Sequence, residues 1–125
     1  MEIKTLLEQR GLLIFDGAMG TQLQAKGLKT GETPELLNLT AKDLLKEIHR
    51  SYIDAGADII SANTFGANSY KLSHSGKSVD EIITAGIINC KEAIKESGKD
   101  VFCALDIGPI AVSYTHLTLP TNSRV

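Results

Sequence analysis

Three short strand-like runs recur along this chain about 45 residues apart: Leu12 to Phe15, Asp58 to Ala62 and Val101 to Leu105. Each is mostly apolar and of strand length, and each breaks into polar or glycine residues where it ends. Helical patterns fill the spaces between them. Ser78, Val79, Asp80 and Glu81 form a capping box, in which the Ser hydroxyl and the Glu carboxylate satisfy the first free backbone N–H groups of a helix. Ile83, Ile87, Cys90 and Ile94 then share one face, and Gly98 supplies the stop. Upstream, Thr40 is placed to cap another helix, with Leu44, Leu45, Ile48 and Tyr52 as its buried stripe and Gly56 at its end. A leading helix over Ile3 to Gln9 stops at Gly11, and Gly31 to Pro34 reads as loop. Strands joined by helices pair in parallel, because each helix returns the chain to the edge where the previous strand began. The expected fold class is α/β.

In parallel α/β folds the C-terminal ends of the strands lie on one face, and that face carries the site. The three endings here are Asp16-Gly17, Asn63-Thr64-Phe65-Gly66 and Asp106-Ile107-Gly108-Pro109. Asp16 is an acceptor for an ammonium, a hydroxyl or a metal, and Asp106 adds a second carboxylate. Gly17 and Gly20 permit positive φ and close backbone approach. Asn63 brings a donor and an acceptor on a short side chain. A purely structural reading assigns Asp16 to capping its turn, Asn63 to a local turn bond and the glycines to bending the chain. Convergence of three such endings on one face favours a site.

Other chemistry is poorly supported. A chain of 125 residues is one domain at most, and its 13 basic and 15 acidic residues are scattered. With 5% aromatic residues, it offers neither a phosphate-tracking face nor a base-stacking platform, so no nucleic-acid partner is expected. No apolar run approaches the ~20 residues of a membrane helix. MEIKTLLEQRG lacks an apolar export core, so a cytoplasmic location is expected. Cys90 and Cys103 stand far apart and read as buried packing residues, while His49, His74 and His116 read as solvated surface. No Ser/His/Asp arrangement is evident. GAMG is too short for a dinucleotide loop, and no phosphate-loop lysine is present. An aldolase-type barrel would need a lysine at a strand end for imine chemistry, and none of the three ends has one.

FDGAMGTQLQ, ETPELLNLTAKDLLKEIHRSYIDAGADII, SANTFGAN and ALDIGP resemble, in order and spacing, the homocysteine S-methyltransferase family, including the N-terminal homocysteine-binding barrel of cobalamin-dependent methionine synthases. The resemblance covers about residues 10 to 110. It implies a TIM (β/α)8 barrel that binds homocysteine at the C-terminal ends of its strands. Zinc there lowers the thiol pKa so that a thiolate attacks a methyl group. In methionine synthases, cobalamin carries that methyl and methyltetrahydrofolate replenishes it, on further domains. Stand-alone relatives take the methyl from other donors. By the same resemblance, Asp16 meets the amino group of homocysteine, and Gly17 is backbone that approaches the amino acid. Asn63 and Thr64 stand beside the thiol site, and Asp106 and Gly108 belong to the third strand end.

Two departures accompany the match. The family's zinc ligands are three cysteines on later strands, two of them adjacent, whereas this chain has no Cys-Cys pair and neither Cys90 nor Cys103 aligns with a ligand. The resemblance therefore puts the cysteine ligands beyond Val125, and no metal ligand and no catalytic residue is expected in this chain. Residues 1–111 read as about three βα units of an incomplete barrel, inactive as it stands and lacking the C-terminal domains. From Val112 onward the sequence has no acidic residue, three threonines and Pro120 where a helix would run. This run, 112–125, resembles a translated sequencing-library adapter and reads as a non-native tail. The alternative is a genuine β-rich segment, since Leu117 and Leu119 alternate with polar neighbours. Amplifying the locus from source DNA is expected to replace this run; natural codons encoding it and ending in their own stop would overturn the reading.

Overall fold

The computed structural model describes residues 2–110; the tail as far as Val125, with His116 in it, lies outside the described residues. Helix α1 spans Ile3–Arg10 and ends at Gly11, whose left-handed φ of 80° only glycine adopts without strain. Then follow α2 (Met19–Ala25), a 3-10 turn (Pro34–Leu36), α3 (Leu37–Thr40), α4 (Lys42–Asp54), β1 (Ile59–Ser61), α5 (Val79–Ser97) and β2 (Phe102–Ala104). Strands β1 and β2 pair in parallel, with Ile59 opposite Phe102 and Ser61 opposite Ala104. On the other edge of β1 the first run makes a single parallel bridge, Phe15 to Ile59. The Asp58 N–H donates to the Ile14 carbonyl at 2.7 Å, and the Asp16 N–H donates to the Ile59 carbonyl at 3.0 Å. The three runs thus lie side by side in chain order, as an α/β fold requires.

The expected strand over Leu12 to Phe15 is reduced to that bridge. Three of its four side chains are mostly uncovered: Leu12, Ile14 and Phe15 are 61%, 53% and 58% exposed, while Leu13 is half-buried. The other two strands keep three paired residues each. The buried carboxylate of Asp58 fixes the entry to this sheet by accepting from the Ile14 N–H at 2.9 Å and pairing with Arg10 of α1.

One core cluster gathers Ile53, Ala57, Ile60, Ala62 and Cys90 between the sheet and the helices, with Ile87, Ile94 and Cys103 packed against it. A second, of Leu23, Leu45 and Ile48, seats α2 against α4. The capping box forms as expected, with the Glu81 N–H donating to the Ser78 hydroxyl at 3.1 Å. The buried stripe of α5 is rotated from the expected one: Ile82, Gly86, Asn89, Cys90 and Ala93 are buried, while Ile83, Ile87 and Ile94 are half-covered. The turn at residues 34–40 lies over the α5 N-terminal half and selects its small and amide residues. Thr40 does not cap α4. It ends α3, and its hydroxyl donates to the Leu36 carbonyl at 3.3 Å. His49 is wholly buried rather than solvated, because α5 covers the flank of α4 beside the Leu45 stripe. Lys46 reaches Glu96 at 2.6 Å and Glu92 at 3.4 Å across that contact. Among the described residues, no helix is long and apolar enough to cross a membrane.

Candidate functional site

The strand ends open into a cavity of about 360 Å³. Asp16, Gly17, Asn63, Thr64 and Asp106, five of the six residues singled out in the sequence, line it. The sixth, Gly108, sits beside it. A Cβ there would come 2.5 Å from the Phe65 carbonyl oxygen and 2.9 Å from its ring, so Gly108 serves the packing of Phe65.

Asp16 leaves the first run just after its bridge to β1, which delivers its carboxylate to the rim. One oxygen accepts from the Ser61 N–H at 3.0 Å. Burial raises its pKa, the Ser61 bonds oppose the rise, and the nearby Asp106 charge adds to it. Such a carboxylate gains by meeting a cation. Gly17 shows no positive φ, and neither does Gly20; the conformational reason expected for both gives way to a steric one at Gly17. A Cβ at Gly17 would come 2.9 Å from the Tyr52 hydroxyl, which passes there to donate to the Ala18 carbonyl at 2.8 Å. At Gly20 no neighbour lies within 4 Å of a Cβ.

Thr64 and Asn63 hold the rim together. The Thr64 hydroxyl donates to the Asp106 carbonyl at 2.7 Å and accepts from the Asp106 N–H at 3.1 Å, fastening the β1 and β2 ends to each other. The Asn63 amide donates to Asn38 Oδ1 at 2.9 Å and to the Pro34 carbonyl at 3.0 Å. Asn38 in turn donates to the Asn63 carbonyl at 2.8 Å and the Ile82 carbonyl at 3.0 Å, and Asn89 donates to the Asn38 carbonyl at 3.0 Å. This buried amide network joins the 34–40 turn, the β1 end and α5. Gly86 makes room for it, since a Cβ there would lie 2.8 Å from Asn38 Nδ2.

Sequence reading missed Asn38, Asn89 and Glu35, the last a buried acid that lines the same cavity. The available signal was polar residues inside the apolar patterns PELLNLT and IINC. Metal chemistry does not fit these residues. No group of three His, Cys, Asp or Glu side chains among the described residues converges on one point. The Cys90 thiol sits in the core, 3.9 Å from the Ile60 carbonyl, and Cys103 packs against the same apolar cluster. Cysteine ligands placed beyond Val125 by the family resemblance fall outside the described residues.

The fold is that of the homocysteine methyltransferase MmuM from Escherichia coli. Its metallated form matches 86% of this chain at a TM-score of 0.77 and 22% identity, and its oxidized form matches at a TM-score of 0.73 and 21% identity. The chain spans 41% and 40% of the length of those two structures. In sequence, residues 13–123 match the family model of homocysteine S-methyltransferases, and the chain belongs to that family. Methionine synthase from Mycobacterium tuberculosis is 45% identical over 73 residues, and that from Mycobacterium leprae is 47% identical over 68. The chain spans 6% of the length of either relative.

Proposed function

We propose that this chain is the N-terminal part of a TIM-barrel domain that transfers a methyl group to the thiol of homocysteine, giving methionine, and that its own residues hold the amino-acid end of that substrate. The observation that carries this is the cavity at the strand ends, where a partly buried Asp16 carboxylate with a raised pKa faces into a rim closed by Thr64 and Asn63. Family membership and the identity with methionine synthases support homocysteine as the substrate and the cobalamin-dependent type, with zinc, cobalamin and methyltetrahydrofolate held elsewhere in the whole protein. A stand-alone homocysteine S-methyltransferase using another donor is the second reading, and the family model, which specifies no donor, is compatible with it. When bound, zinc would supply the thiolate. The residues here bind, orient and exclude water. In this reading, residues 1–111 are barrel and 112–125 a tail, and the protein acts in the cytoplasm.

The Asp16 carboxylate accepts the substrate ammonium, and the Gly17 backbone lies alongside. Homocysteine is expected to bind the chain weakly, in about the millimolar range, with no gain on adding zinc. Asp16→Asn keeps an oxygen for the Ser61 N–H but removes the charge-assisted bond, and is expected to weaken binding about tenfold or more. Amide shifts in a homocysteine titration followed by NMR measure both. No binding by the wild-type chain, or tight zinc-dependent binding, contradicts the reading.

A further inference from the structure

We propose that Glu35 is a second carboxylate for the substrate ammonium, and that position 66 is glycine to seat it. The proposal rests on the amino-acid clamp described above and extends it to a residue outside the strand-end motifs.

Glu35 sits in the 3-10 turn after Pro34, is 5% exposed, and lines the cavity with Asp16 and Asp106. Other buried polar side chains of the cavity wall have partners: Asn63 bonds Asn38 and Pro34, and Thr64 bonds the Asp106 backbone. The Glu35 carboxylate takes no hydrogen bond or ion pair from any described residue. A buried acid is normally kept only where a counter-charge or donor meets it. No lysine or arginine is among the residues lining the cavity, so a cation entering it meets no competing positive side chain beside Glu35. The acidic groups are too dispersed to share one metal ion, since no three of them converge among the described residues. A primary ammonium, with three donors and one charge, suits acceptors spread around a small cavity.

Gly66 adds a steric signature. A Cβ at that position would lie 2.5 Å from Glu35 Oε1 and 3.0 Å from its Cδ, so any other residue displaces the carboxylate. Gly66 has no positive φ, and the space its missing Cβ leaves is taken by the flexible carboxylate end of Glu35.

The test is a titration of the full chain, followed by the amide shifts of Gly17, Ser61 and Thr64, with three probes. Homocysteine carries both end groups, 3-mercaptopropylamine lacks the carboxylate, and 4-mercaptobutyrate lacks the amine. Glu35→Gln is expected to weaken the two amines about tenfold and to leave 4-mercaptobutyrate within about twofold. Gly66→Ala, which keeps the acid but moves it, is expected to act in the same selective direction and decides the matter if the first variant does not fold. Equal loss of all three probes assigns Glu35 a structural role and overturns the proposal. Unchanged homocysteine binding in Glu35→Gln alongside weakened binding in Asp16→Asn overturns the Glu35 assignment alone. Absence of homocysteine binding in the wild-type chain overturns both readings.

Discussion

Replacing Asn38 by alanine is expected to cost about 3–5 kcal/mol, enough to abolish the folded signal of a domain this small. The substitution removes three hydrogen bonds at once: those to the Asn63 and Ile82 carbonyls and the one accepted from the Asn63 amide. All three are buried, so water replaces none of them unless the 34–40 turn opens. The loss is larger than a single bond would suggest because the same amide ties three segments distant in sequence. Urea unfolding followed by circular dichroism measures it. A change below about 1 kcal/mol would mean that the turn relaxes freely and that the network does not hold the cavity rim.

Acid is expected to destabilise the chain through His49. The ring is fully buried on α4, and neither nitrogen has a hydrogen-bond partner among the described residues. Burial lowers its pKa from 6.5 to about 4. Between these values the unfolded chain binds a proton that the folded chain refuses, so stability is complete above pH 6.5 and falls as the pH drops toward 4. The shift corresponds to about 3 kcal/mol at most. Glu96, whose pKa is lowered chiefly by its bond to Lys46, adds an acid loss of its own below its ordinary range. His49→Leu separates the two. It removes an unpartnered polar ring at similar volume, and is expected to leave stability at pH 7 unchanged or higher while flattening the slope between pH 6.5 and 4. An unaltered slope in the variant would place the acid sensitivity elsewhere.

His49 also marks where pattern reading stopped. On α4 it lies next to Ile48 and one turn past Leu45, at the edge of the apolar stripe, and its burial was decided by α5, whose first residue is 30 positions later. The α5 stripe turned for a related reason. Isoleucine spacing pointed to Ile83, Ile87 and Ile94, but the turn at residues 34–40 packs where Gly86 and Asn89 leave space and a donor. Thr40 had the chemistry of a cap but sits one residue too early, at the end of α3. The strand-end motifs were legible because parallel topology follows from strand and helix order alone, and topology puts every strand end on one face. Glu35 was not legible, because a single acid in an apolar run carries no period.

By itself, then, the sequence determined the α/β order, the capping box at Ser78 and the glycine stop at Gly98, all of which depend on local spacing and backbone chemistry; the family came from the resemblance of its motifs to known relatives. It also determined that Asp16, Asn63, Thr64 and Asp106 would meet. Only the tertiary structure decided what those residues do to one another: that Thr64 bonds the Asp106 backbone, that Asn63 is held by Asn38, that Gly17 gives way to Tyr52 and that Gly108 gives way to Phe65. The physical reason is range. Propensity and periodicity act over a few residues, whereas a hydrogen bond across 42 residues or a missing Cβ is specified by which surfaces come to lie within 3 Å of each other.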